Sequence, residues 1–81
     1  MKRKMNKKEL KAVRLILGLQ QQEFADILGV SKGHLSRTES NGKDSYDVSD
    51  KLDELVKYKL NAMEINVVEI LELAKKRGML K

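Results

Sequence analysis

Eighty-one residues, 41% apolar and 36% charged, make one small domain: a modest core beneath a heavily solvated surface. The chain has no Cys, Trp or Pro and a single histidine, His34, which excludes disulfide staples, thiolate metal sites and multi-histidine metal clusters. The net charge of +5 sits at one end, since residues 1–14 hold seven basic residues against Glu9 alone; such a head either attracts a polyanion, nucleic acid or anionic lipid, or merely solubilises the chain.

Periodicity is helical throughout, with no alternating run of the strand type. Asn6 and Glu9 have the spacing of a capping box, with Met5 and Leu10 as its hydrophobic staple. They open a first helix whose Leu10, Val13 and Leu17 share a face and which stops at Gly18. A second helix fits Gln21 to Leu28, with Phe24, Ala25 and Leu28 on one side and Gly29 at its end. A third starts from the N-cap Ser31 and runs to about Ser40, with Leu35 and Thr38 inward and Lys32, His34, Ser36 and Arg37 outward. Residues 41–45 are a turn-rich loop. A fourth helix, near Val48 to Leu60, is expected to bury Val48, Leu52, Leu55, Val56 and Tyr58. Asn61 and Asn66 each have capping-box spacing, and the reading preferred is a short turn near 62–65 with the main helix from about 66 to Arg77. The fold class expected is all-α, five helices.

The stretch from Gln21 to Glu39 is the informative one. Two short helices crossing steeply need a small residue where the backbones approach (Ala25), a residue tolerant of positive φ at the turn (Gly29), and apolar residues to hold the pair (Phe24, Leu28, Val30 and Leu35). That is the helix-turn-helix layout, whose second helix enters a DNA major groove when its outer face carries nothing apolar. Residues 19–31, Leu35-Ser36-Arg37 with Glu39, and Asn41-Gly42-Lys43 together resemble the phage repressor/Cro-type (XRE-like) helix-turn-helix transcription regulators, over about Leu10 to Leu60. The chain departs from that pattern in Thr38, where a larger apolar residue is usual, in Gln20, where a better N-cap is common, and in one extra loop residue around Ser40-Asn41-Gly42.

The resemblance implies a five-helix domain reading bases with Lys32, Gly33, His34, Ser36 and Arg37, of which Arg37 suits the bidentate fork on guanine. It places Gln21 against a phosphate, a backbone-gripping loop at Asn41, Gly42 and Lys43, and a partly buried ion pair between Arg14 and Glu39. Gln20 and Ser31, at the two helix starts, are expected to add phosphate contacts through their amides. Lys2, Arg3 and Lys4 would lie along the duplex as an arm. No base-reading role is settled residue by residue: His34 could equally donate to phosphate, and Gly33 could either admit the DNA backbone closely or have no role.

The last helix is apolar over more than half its circumference, as a partner surface or a fully enclosed core helix would be. Met63, Val67, Ile70, Leu71 and Ala74 are the expected dimer interface; Val68 and Lys75 lie on a neighbouring face, with Leu15 and Ile16 as the surface for the helix to cover. Residues 1–60 then form the DNA-binding domain and 61–81 a dimerising extension of the same compact unit. No stretch reaches the roughly 20 apolar residues of a membrane helix, and no signal core follows the basic head. P-loop, nucleophile-elbow and paired-carboxylate patterns are lacking, which argues against an enzyme. The expected function is a sequence-specific, double-stranded-DNA-binding transcription regulator, a repressor, acting as a cytoplasmic homodimer on the nucleoid. It would need no cofactor, metal or small-molecule ligand. The alternative class is an antitoxin-like or adaptor module that binds another protein with the same fold.

Overall fold

The computed structural model describes residues 4–40 and 47–80; Lys2, Arg3, Asn41, Gly42 and Lys43 lie outside the described residues. Five helices follow in order: α1 (Lys7–Ile16), α2 (Gln21–Leu28), α3 (Lys32–Glu39), α4 (Asp50–Ala62) and α5 (Val67–Lys76). No strand occurs among the described residues. Helix α1 packs on α3 and α5, α2 on α3 and α4, and α4 on α5.

Local chemistry explains the boundaries. The Asn6 side chain accepts from the Glu9 N–H and the Glu9 carboxylate accepts from the Asn6 N–H, both at 2.9 Å; the staple residues Met5 and Leu10 are both buried. At the end of α1, Leu19 N–H donates to the Arg14 carbonyl and Gly18 N–H to that of Leu15, the paired closure that terminates helices through a left-handed residue. Gln20 is a weak cap, and the Glu23 carboxylate offsets this by accepting the Gln20 N–H at 2.9 Å. Gly29, at φ +76°, repeats the closure for α2, with Val30 N–H on the Ala25 carbonyl at 3.0 Å. A side chain there would be strained by its backbone conformation, not by crowding, because nothing lies within 4 Å of an added Cβ.

The core gathers Leu10, Val13, Phe24, Leu28, Leu35, Val56 and Leu60, none more than 1% exposed. Ala25 is fully buried, as a close α2–α3 crossing requires. Phe24 is the largest of these side chains; truncating such a ring to Ala costs about 3–5 kcal/mol.

Three expectations are corrected. Helix α4 begins at Asp50, because Ser49 caps it by accepting the Leu52 N–H at 3.1 Å, which leaves Val48 buried but outside the helix. Tyr58 is 69% exposed instead of buried. The third concerns the proposed dimer seam. Val67 and Ala74 point into the chain's own interior, at 9% and 0% exposure, and Ile70 and Leu71 flank them half-buried. Val68, by contrast, is 64% exposed, Lys75 is exposed, and Leu15 remains 47% exposed. Spacing picked out the best apolar stripe of α5, but the monomer core, chiefly at α1, takes that stripe first.

The turn between α4 and α5 sets this rotation. Glu64 adopts a left-handed conformation at φ +62°, the one described non-glycine residue to do so. Its N–H meets the Asn61 carbonyl at 3.0 Å, and Ile65 N–H meets that of Leu60 at 2.8 Å. The Leu60 and Ile65 side chains, both in or against the core, supply the apolar contact that accompanies this closure. Asn66 then caps α5 with its side chain, accepting from Val68 N–H at 2.9 Å, and Val67 is left facing inward. Exposed Glu64 makes no such apolar contact, so Glu64→Gly should relieve backbone strain at little cost. The expected gain is about 0.5–1 kcal/mol, read as a higher midpoint in thermal unfolding; an unchanged or lower midpoint would contradict it.

Candidate nucleic-acid interface

Helix α3 divides cleanly. Leu35 and Thr38 are fully buried and Glu39 nearly so, whereas Lys32, Gly33, His34 and Arg37 are exposed and Ser36 is half-buried. Thr38 suits the core in spite of its polarity, because its hydroxyl donates to the His34 carbonyl one turn back at 2.9 Å. Ser31 caps the helix by accepting the His34 N–H at 3.1 Å. Gly33 has open space around it and an ordinary backbone, so nothing in the fold requires a glycine there.

The inner end of α3 is locked. Arg14 Nε donates to both Glu39 oxygens, at 2.9 and 3.2 Å, and Nη2 donates to Oε1 at 2.9 Å. Both side chains are at most 10% exposed. The remaining arm of the guanidinium, Nη1, donates to the Leu19 carbonyl at 2.9 Å, and the Gln21 Nε2 donates to Glu39 Oε1 at 3.2 Å. One ion pair therefore fastens the end of α1, the start of α2 and the end of α3 to each other. No buried side-chain nitrogen or oxygen among the described residues lacks a partner, the condition under which a buried ion pair holds geometry without stranding a charge.

Around the polar face of α3 the structure collects further groups. Gln20 is exposed; Gln21 is half-buried, with its amide turned to Glu39. Lys7 Nζ donates to the Ser40 carbonyl at 3.1 Å, bringing the basic head of α1 to the far end of α3. At the near end, a cleft between α3 and α4 is lined by Ser31, His34, Ser49 and Lys51, so two helix starts open onto it. A helix read from Val48 does not single out Lys51; the Ser49 cap puts it in the first turn of α4, beside Asp50 and Asp53. Lys32 stands in the first turn of α3 with no acidic residue there, where a cation costs about 0.3–1 kcal/mol unless an anion sits nearby. Among the described residues no group of three His, Cys, Asp or Glu could hold a metal, and no helix is long and apolar enough to cross a membrane.

A helix-turn-helix family model of the Cro/C1 type matches residues 10–57, more than half the chain. No curated protein and no solved structure matches it.

The ion pair is directly testable. Glu39→Ala should destabilise the domain by about 3–5 kcal/mol, the cost of stranding a buried guanidinium. In a double-mutant cycle with Arg14→Met by chemical denaturation, much of that loss should be recovered. Simple additivity of the two single changes would show that the pair carries no coupling.

Proposed function

The chain belongs to the Cro/C1-type helix-turn-helix family and is a DNA-binding regulator, and we propose that it represses transcription by reading the major groove of double-stranded DNA with α3. The observation that carries this reading is the composition of the exposed face of α3: Lys32, Gly33, His34 and Arg37, with no apolar side chain, on a helix whose other face is locked by Arg14 and Glu39. Arg37 presents a planar fork suited to guanine, with Lys32, His34 and Ser36 beside it. Lys32, in the first turn of α3, flanks amides that attract phosphate, and a duplex backbone laid across the cleft relieves its conflict with the helix dipole, while Lys51 borders the same cleft from α4. Ser31 adds a contact at the start of α3, Gln20 and Gln21 add theirs at the start of α2, and Lys2, Arg3 and Lys4 serve as the DNA arm. Asn41, Gly42 and Lys43 complete the grip on the backbone. Gly33 is read as the point of closest approach, since the fold itself leaves room for a side chain there.

Two copies read two half-sites about 10 base pairs apart. With Val67 and Ala74 enclosed by the monomer, the dimer surface moves to the apolar groups that remain outside. Tyr58, Met63 and Val68 are exposed and Leu71 is half-buried, and Tyr58, Val68 and Leu71 line one groove between α4 and α5. Residues 1–60 form the DNA-reading part, and 61–81 an extension that, with Tyr58 beside it, pairs the copies.

Selection of bound sites from a random duplex pool, followed by mobility shifts in a salt series, tests the DNA reading. About six phosphate contacts give a log–log salt slope near −5. Arg37→Ala should cost about 1–3 kcal/mol on the selected site and relax one base position. Gly33→Ala should stabilise the free protein by about 0.8–1 kcal/mol yet weaken binding. A salt-independent affinity, or an unchanged motif with Arg37→Ala, would refute this assignment of the reading face.

Sedimentation of the full chain tests the pairing. Val68→Glu with Leu71→Glu should convert dimer to monomer, whereas a wild-type chain that is monomeric at micromolar concentration would refute the dimer.

A further inference from the structure

Glu39 makes one contact more than its ion pair with Arg14 needs. Its Oε1 accepts Arg14 Nη2 at 2.9 Å and also Gln21 Nε2 at 3.2 Å. Gln21 is the first residue of α2 and Glu39 the last of α3, so this second bond ties the two helices together across 18 positions of sequence. Its chemistry fixes its direction. A carboxylate can only accept, so the Gln21 amide must turn its nitrogen, and not its oxygen, toward Glu39. The second N–H sits on the same planar nitrogen and points away from that carboxylate. Among the described residues neither this N–H nor the amide oxygen makes a hydrogen bond.

The amide stands at a border. Glu39 is 9% exposed, whereas Ser36, one turn earlier on the same side of α3, is half-buried, and so is Gln21. Here the locked inner face of α3 gives way to its polar outer face. We propose that Glu39 is a positioning residue for DNA binding: by holding one N–H of Gln21 it aims the other at a backbone phosphate of the duplex that α3 reads. This inference rests on the reading above, in which the chain binds duplex DNA and Gln21 meets a phosphate. Glu39 contributes in two ways. It keeps the amide from presenting its oxygen, which a phosphate would repel. It also orders a long side chain in the free protein, so that this order does not have to be created on binding.

The test uses the full chain, with the selected duplex and a random-sequence duplex of equal length as probes, and treats the ion pair as one unit. Arg14→Met with Glu39→Leu removes both charges together, so neither is stranded. This double change should weaken binding to the random-sequence duplex by about three- to tenfold per bound copy, the equivalent of ordering one long side chain. In a Gln21→Ala background the same double change should move that affinity by less than about twofold. An equal loss with and without Gln21 would show that the pair acts only by holding α3, and would overturn the proposal. Gln21→Ala binding as tightly as wild type overturns it too, while leaving the reading face of α3 standing. A wild-type chain that binds neither duplex fails the DNA reading itself, and this inference with it. Thermal melts establish that each variant is folded at the assay temperature. Should the double change fail to fold, NMR on the wild-type protein decides: the Gln21 side-chain amide should be as rigid as the backbone in nitrogen relaxation, and a mobile amide would overturn the proposal.

Discussion

The contact on which the rest of this molecule depends is the one between Arg14 and Glu39. A helix-turn-helix pair can be made from local signals alone, but a reading helix is useful only if its outer face is held at one angle to the remainder of the domain. Residue Arg14 lies in the last turn of α1 and Glu39 in the last turn of α3, so their bidentate contact fixes α3 against the scaffold at its inner end. The Leu19 carbonyl and the Gln21 amide draw the start of α2 into the same cluster. Planarity matters here: the guanidinium reaches a carboxylate and a carbonyl at once, whereas an ammonium is a point charge with no fixed fork. Thr38 belongs to the same economy of space, since its small side chain is enclosed beside Glu39 and its hydroxyl is satisfied within its own helix.

Against that rigid base, the exposed surface contains local choices that stability by itself does not favour. Lys32 occupies a first turn that holds no acidic residue, where the dipole repels a cation, and Gly33 sits inside a short helix where an alanine would be more stable. Both lie at the start of α3. Sequences that disagree with their own local structure usually do so where a ligand supplies the missing interaction. The conflict at Glu64 is of another kind. There a strained left-handed residue serves the chain's own architecture, turning α4 into α5 so that Leu60 and Ile65 close over the core.

Helix α5 shows how one apolar stripe can be claimed twice. Its strongest seam, through Val67 and Ala74, satisfies both the spacing expected of a dimer contact and the geometry of packing on α1. Burial within one chain carries no translational cost, while burial between two chains does. The intramolecular use therefore wins, and any partner must be met by the flanking groups Tyr58, Val68 and Leu71.

How much of this was legible in the residues follows from the range of the interactions. Helix starts and stops are local: Asn6 with Glu9, Gly29, Ser31 and Asn66 act within a few positions, so sequence by itself determined the five helices, the contact of α2 with α3 and the polar outer face of α3. The pairing of Arg14 with Glu39 entered only through resemblance, because no spacing rule links residues 25 apart. The tertiary structure alone decided which face of α5 turns inward, that Tyr58 stays outside, that Lys51 joins the cleft at the start of α3, and that Gln21 turns its amide to Glu39. Each of these depends on how one helix is rotated against another. A rotation of one residue is about 100°, enough to exchange a buried side chain for an exposed one, and it is set by the sum of contacts over the whole core.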